Sequence, residues 1–165
     1  AALRPGGVLA MGGLHARVPE DPEDVRDWAD RAFAAANSAL FADQVPSNGG
    51  GVEIDPKWHI QRGGAGGAHP ATGRIVLDPS RHSSLRDLCG TLLHEMAHLL
   101  VGPADGGEEH GLHFLTTVAE VNSRAIAFSG CAASCRVGEY DAAVDCDVLD
   151  EAGLPAGALA SLLAQ

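Results

Sequence analysis

The residues in this sequence best suited to chemistry lie in TLLHEMAHLLVGPADGGEEHGLHF, residues 91–114, which holds four of the eight histidines. His94 and His98 are four apart, so on a helix both side chains leave the same face, one turn from each other. That spacing lets two imidazoles hold one ion at about 2.0–2.1 Å from each ring nitrogen. Glu95, beside the first of them, then sits near a metal-bound water without being a ligand itself. Zinc lowers the pKa of such a water toward ~7, and a carboxylate there can take the proton as the water attacks a carbonyl. Random placement of the histidines and glutamates of this chain yields roughly 0.02 H-E-x-x-H matches. The spacing therefore favours a zinc site over histidines that merely decorate a helix.

Two helical histidines do not close such a site. A catalytic zinc takes a third protein ligand and leaves the fourth position to water. His110, His113, Glu108, Glu109 and Glu120 are the candidates, and spacing alone does not choose among them. His110 follows a glycine-containing loop that can bring the chain back to the metal. His113 is one turn further on and is also placed to donate a hydrogen bond to a developing oxyanion. Glu120 lies where a second helix could supply a carboxylate. Glu108 and Glu109 read most simply as an acidic loop at a helix N-terminus.

The elements that must position these residues are legible in outline. Ser84, with Asp87 three residues later, gives a capping-box start, and Gly102-Pro103 gives the stop, so a helix is predicted over 84–101. A second helix is predicted over 110–128. Upstream, Asp21-Pro22 caps a helix over 22–42 in which Val25, Trp28, Ala29, Ala32, Phe33, Ala36, Leu40 and Phe41 recur at helical spacing. VEIDPKWHIQR reads as two short strands or one interrupted at Pro56. GGAGGAHPATG reads as a flexible turn and RIVLDP as a short strand. Trp28, Phe33, Phe41 and Trp58 read as core, although Trp58, next to His59, could line a cleft. The order of elements predicts an α+β fold, with helices packed on one small antiparallel sheet, and the H-E-x-x-H helix resembles that of zincins. Residues 1–20 are expected to be a loose lead-in and 21–130 the catalytic domain. Residues 131–165 are expected to form a cysteine-containing loop and short helix on the same domain.

TLLHEMAHLL followed by HGLHF resembles the SprT family of zinc metallopeptidases, whose pattern is H-E-x-x-H and then, after a loop, H-G-x-x-F or H-G-x-x-W. His110, Gly111 and Phe114 match that pattern position by position. The similarity extends to ALF before a VP and to RIVLDP leading into the metal helix, spanning roughly residues 25–125. The resemblance implies zinc as cofactor, His94, His98 and His110 as its ligands, Glu95 as general base, and a protein or peptide substrate. A zinc ribbon or basic DNA-binding segment often follows the catalytic domain in this family. Here Cys131-x3-Cys135 has the wrong spacing for a ribbon and the tail is acidic.

Composition narrows the partners. The net charge is −11 and Lys57 is the only lysine. That balance lacks the clustered basic footprint of a phosphate-backbone binder, so no direct nucleic-acid contact is expected. No apolar run approaches the length of a membrane span, and a cytoplasmic location is expected. The chain starts at Ala1 and not at Met, which fits excision from something longer. Cys89 reads as a small buried apolar residue. Cys131, Cys135 and Cys146 read first as free thiols, then as one local disulfide, and last as a second metal site; Tyr140 reads as a packing residue before a donor to the oxyanion.

Three functions fit these residues. The leading one is a zinc metallopeptidase whose substrate lies along an edge strand, expected to be RIVLDP. The second keeps the hydrolytic water but acts on a non-peptide amide or ester. The third is a non-catalytic, zinc-stabilised binding or regulatory module.

Overall fold

A computed structural model describes residues 17–46, 51–102 and 110–129. Its first element is α1, Pro22–Leu40, opened by the Asp21 carboxylate accepting from the Glu23 N–H at 2.9 Å, with Pro22 in the first turn. Both are ordinary helix-start devices: the carboxylate satisfies an amide with no partner inside the helix, and proline has no amide to satisfy. Val25, Ala29, Ala32, Ala36 and Leu40 are buried along one stripe. The chain leaves α1 through Ala42 and Asp43, both at positive φ. Asn37 clamps this turn, its side chain accepting from the Val45 N–H and donating to the Val45 carbonyl.

A short strand, β1 (Val52–Ile54), follows and is tied to α1 by the Val52 N–H donating to Asp30 Oδ1 at 2.8 Å. The stretch after it differs from the sequence expectation. WHIQR is not strand but a short helix, α2 (Trp58–Arg62). Pro56 breaks the extended run and the Asp55 side chain caps the Lys57 N–H, an Asx turn that redirects the backbone into a helix. Gly63, at φ 83°, then closes α2 in the left-handed conformation glycine adopts without penalty. Part of the glycine-rich segment expected to be a flexible turn is also ordered: Gly66–His69 form β2. Strand β3 (Arg74–Leu77) forms where RIVLDP predicted it.

The sheet is mixed, which corrects the expectation of an antiparallel one. Its order is β1-β3-β2, with β3 central, antiparallel to β2 and parallel to β1. The topology explains this. The chain reverses once through α2 and again in the β2–β3 hairpin, so β3 returns in the direction of β1 and slots between the other two strands. RIVLDP is therefore not an edge strand; among the described residues β1 and β2 are the edges.

After a 3-10 turn at Pro79–Arg81 comes α3, Leu85–Val101, whose Ser84 side chain accepts from the Asp87 N–H. This helix is the centre of the domain, packing against α1, β2 and β3. Leu88, Leu92, Leu93, Met96 and Ala97 are fully buried. Burial of this kind, at about 25 cal/mol per Å² of apolar surface, is the main force holding the helix in place. Gly102, at φ 81°, ends it, with its N–H on the His98 carbonyl. The final element, α4 (Leu112–Ser129), packs on α3 and α1 through Phe114, Leu115, Val118 and Val121. Cys89 is buried, as its position in the apolar pattern implied. The three later cysteines, Tyr140, Glu108 and Glu109 lie outside the described residues, as does the whole segment from 130 on. Among the described residues no helix is long and apolar enough to cross a membrane.

Candidate metal centre

His94, Glu95 and His98 sit in the second half of α3, and His110 stands just ahead of α4. The fold brings His110 beside the other two. Nε2 of His94 is 3.1 Å from Nε2 of His98 and 3.2 Å from Nε2 of His110. The donor atoms of the three all lie within 4.8 Å of one another, a group that could hold a metal ion.

The donor chemistry fits one. Ring nitrogens bound tetrahedrally at about 2.0–2.1 Å from a zinc ion are about 3.3–3.4 Å apart, close to the spacings seen here. Burial first, then repulsion from His98 and His110, together push His94 down to about 3. Burial and then His110 push His98 down to about 4. Both rings are therefore neutral at physiological pH, the state in which an imidazole nitrogen offers a lone pair to a metal.

Phe114 explains the aromatic at the end of H-G-x-x-F. Its fully buried ring stacks on His98 at 4.3 Å between centroids and lies 4.7 Å from His110 and 5.0 Å from His94. One side chain, a single turn after His110, thus forms an apolar wall against all three imidazoles. Gly111 is buried at the same junction, and its carbonyl accepts the Leu115 N–H at the start of α4.

Glu95 is buried on a different face of α3, shared with Thr91 four residues earlier. That face looks at β2. A Cβ built on Gly66 would stand 3.4 Å from Glu95 Oε1, 3.0 Å from the Thr91 methyl and 2.9 Å from the Val76 carbonyl oxygen. Only a residue without a side chain lets the strand run this close to the helix carrying Glu95.

The segment leading into α3 is fastened at two points that the sequence did not advertise. His82 bridges the Asp78 carbonyl through Nδ1 at 2.8 Å and the Thr91 hydroxyl through Nε2 at 2.7 Å. A carbonyl can only accept, so Nδ1 carries the proton and Nε2 accepts from Thr91. Burial, the largest influence, lowers the pKa of His82 and keeps it in this neutral form. Asp78 is fully buried. Its Oδ2 accepts from the His59 N–H at 2.9 Å and contacts His59 Nδ1 at 2.5 Å, while Oδ1 accepts from the Ser80 N–H and hydroxyl. Burial raises its pKa, but the hydrogen bonds from Ser80 and His59 outweigh that and hold the carboxyl below the ordinary carboxylate value. The only sequence signal for this hub was Asp78 before Pro79, read simply as the end of a strand.

His113 and Glu120, the rival third ligands within the described residues, are not part of the histidine group. Both are exposed on α4. His113 follows His110 by three residues, but α4 begins between them and turns its side chain to the exposed face.

A family model described as the SprT-like family matches residues 29–136, well over half of the chain. The chain belongs to the SprT-like family. The matched span carries β1–β3, the histidine group and both helices that build it, so membership rests on the site-bearing part of the domain. The SprT-like family is associated with metalloprotease-type activity and with metal ions. No curated protein and no solved structure matches the chain.

Proposed function

We propose that this SprT-like chain is a zinc-dependent metallopeptidase of zincin type that hydrolyses peptide bonds in protein or peptide substrates. One observation carries the reading: three imidazoles, two of them held neutral by burial, converge on one point, while a carboxylate on the same helix faces a glycine-built edge strand. His94, His98 and His110 would hold the ion, a three-ligand set that leaves one position for water or substrate, as catalytic zinc sites do. A zinc ion bound there supplies Lewis acidity, polarising a carbonyl and making water a stronger acid.

The protein's own residues supply the rest. Glu95 takes the proton released as water attacks the peptide carbonyl, and returns it to the leaving amine. Its burial beside Gly66 shields the carboxylate from bulk solvent, where electrostatic interactions are weakest. Phe114 keeps the imidazole rings in place and closes their inner side to water. The substrate backbone pairs with β2, the edge strand that lies against Glu95, in place of the central RIVLDP strand.

Glu95→Gln tests this mechanism, because the amide keeps the shape but cannot take a proton. The variant is expected to retain bound zinc by elemental analysis while hydrolysis of a denatured protein falls by about 10²-fold or more. Full activity in the variant would discard Glu95 as the base. Running the same assay on small acylated compounds separates peptide hydrolysis from action on other amides and esters.

A further inference from the structure

The edge of β2 is short, and one of its hydrogen-bonding groups is already taken. In the antiparallel β2–β3 ladder Gly66 faces Leu77, Gly67 faces Val76 and Ala68 faces Ile75. One position further in the same register the Asp78 N–H donates to the Ala65 carbonyl at 2.9 Å, which marks that pair as hydrogen-bonded. Hydrogen-bonded and non-hydrogen-bonded pairs alternate along such a ladder. Gly67 is therefore bonded inward to β3, whereas the N–H and C=O of Gly66 and Ala68 point away from the sheet. Among the described residues no strand pairs with that outer side. The Gly66 carbonyl nonetheless has a donor: the Trp58 indole N–H, at 2.9 Å.

Trp58 is held there from several directions. A Cβ on Gly67 would meet the indole at 2.6 Å, so the ring lies directly on the bare backbone of β2. His69 abuts it edge-on at 6.2 Å, and the Arg62 guanidinium covers it at 5.8 Å. The next residue, His59, is pinned to the buried Asp78 carboxylate through both its backbone and its ring. A ring fixed in this way is a stop, not a swinging gate.

We infer that Trp58 is a register-setting residue for substrate: it blocks the Gly66 carbonyl, so a substrate strand pairs only with the two outward groups of Ala68 and the Gly66 N–H. This inference rests on the peptidase reading above. The strand ladder then ends at Gly66, the residue whose missing side chain lets Glu95 approach. Pairing on one side of the reacting bond thereby stops beside the carboxylate, and the position of cleavage is fixed relative to the paired residues. With the carbonyl open, a substrate strand gains an additional acceptor and can shift by one strand repeat, about two residues, since side chains return to the same face with that period.

Two variants reach the same end by different routes. Trp58→Phe keeps a ring over Gly67 and deletes the donor. Gly67→Ala keeps the donor and displaces the ring. Each is incubated, zinc-loaded, with a mixture of unstructured peptides of known sequence, and the products are read by mass spectrometry. Wild type is expected to cut at one position per peptide, and both variants to add products displaced by about two residues, with zinc content unchanged. If one variant does not fold, the other carries the test. Wild-type cleavage positions in the folded variants, with only a lower melting temperature, would make Trp58 a packing residue and overturn the inference. Absence of cleavage by wild type itself would overturn the peptidase reading, and the inference with it.

Discussion

Asp78 shows how much one side chain can carry away from the histidines. Its two oxygens receive α2 through His59 and the 3-10 turn through Ser80, while its own N–H belongs to the sheet. An amide at this position would turn a donor toward the His59 N–H and leave a buried group unsatisfied. Asp78→Asn is therefore expected to lower stability by about 2–3 kcal/mol at neutral pH, measured by urea denaturation. The pH dependence follows from the lowered pKa. A carboxyl that is more acidic folded than unfolded contributes stability above its unfolded value of about 3.9, and that contribution disappears as pH falls through the folded value. The gap between wild type and Asp78→Asn is thus expected to narrow below about pH 4, and a constant gap down to acid would contradict this account. Of the other buried polar residues, Glu95 and His94 were evident in the sequence through their motif, whereas Asp78 gave no such signal.

At the scale of elements, the site depends on how closely β2 approaches α3. The contact is glycine against Thr91 and Glu95, with the Val76 carbonyl 2.9 Å from where a side chain would begin. Backbone cannot move aside as a flexible side chain can. Gly66→Ala should therefore cost about 1–3 kcal/mol through overpacking, read as a lower urea midpoint with an unchanged slope. The helices were legible because their signals are local: α1 and α3 begin at the Asp21 and Ser84 caps that the sequence marks. WHIQR and GGAH were not. Five residues of helix and four of glycine-rich strand have too little periodicity to announce themselves, and both are stabilised by distant partners, Asp78 for α2 and β3 for β2.

For the molecule as a whole, the histidine group joins the end of α3 to the start of α4. An ion held there would cross-link two helices that pack on each other. Binding to the folded state alone stabilises by mass action, about 2.7 kcal/mol at a hundredfold excess over the dissociation constant. Zinc is expected to raise the melting temperature, and a chelator to lower it. His110→Ala should lose that increment together with zinc stoichiometry, while Glu120→Ala should keep both. The opposite pattern would make the exposed Glu120 the third ligand and discard the one chosen here.

What the sequence determined by itself was the chemistry held within one or two helical turns. His94, Glu95 and His98 come from a single helix whose cap and stop are adjacent residues, so their mutual placement needs no knowledge of the rest of the chain. The resemblance to the SprT family singled out His110 among the candidates and pointed to Phe114, and the geometry gathers both at the same point. Only the tertiary structure decided which strand lies at the edge, which residue shields the imidazoles, and that Trp58 belongs to β2 instead of the core. Each of those depends on contacts between segments far apart in the chain. Such contacts are set by the competition of whole faces for burial, and no short spacing encodes its outcome.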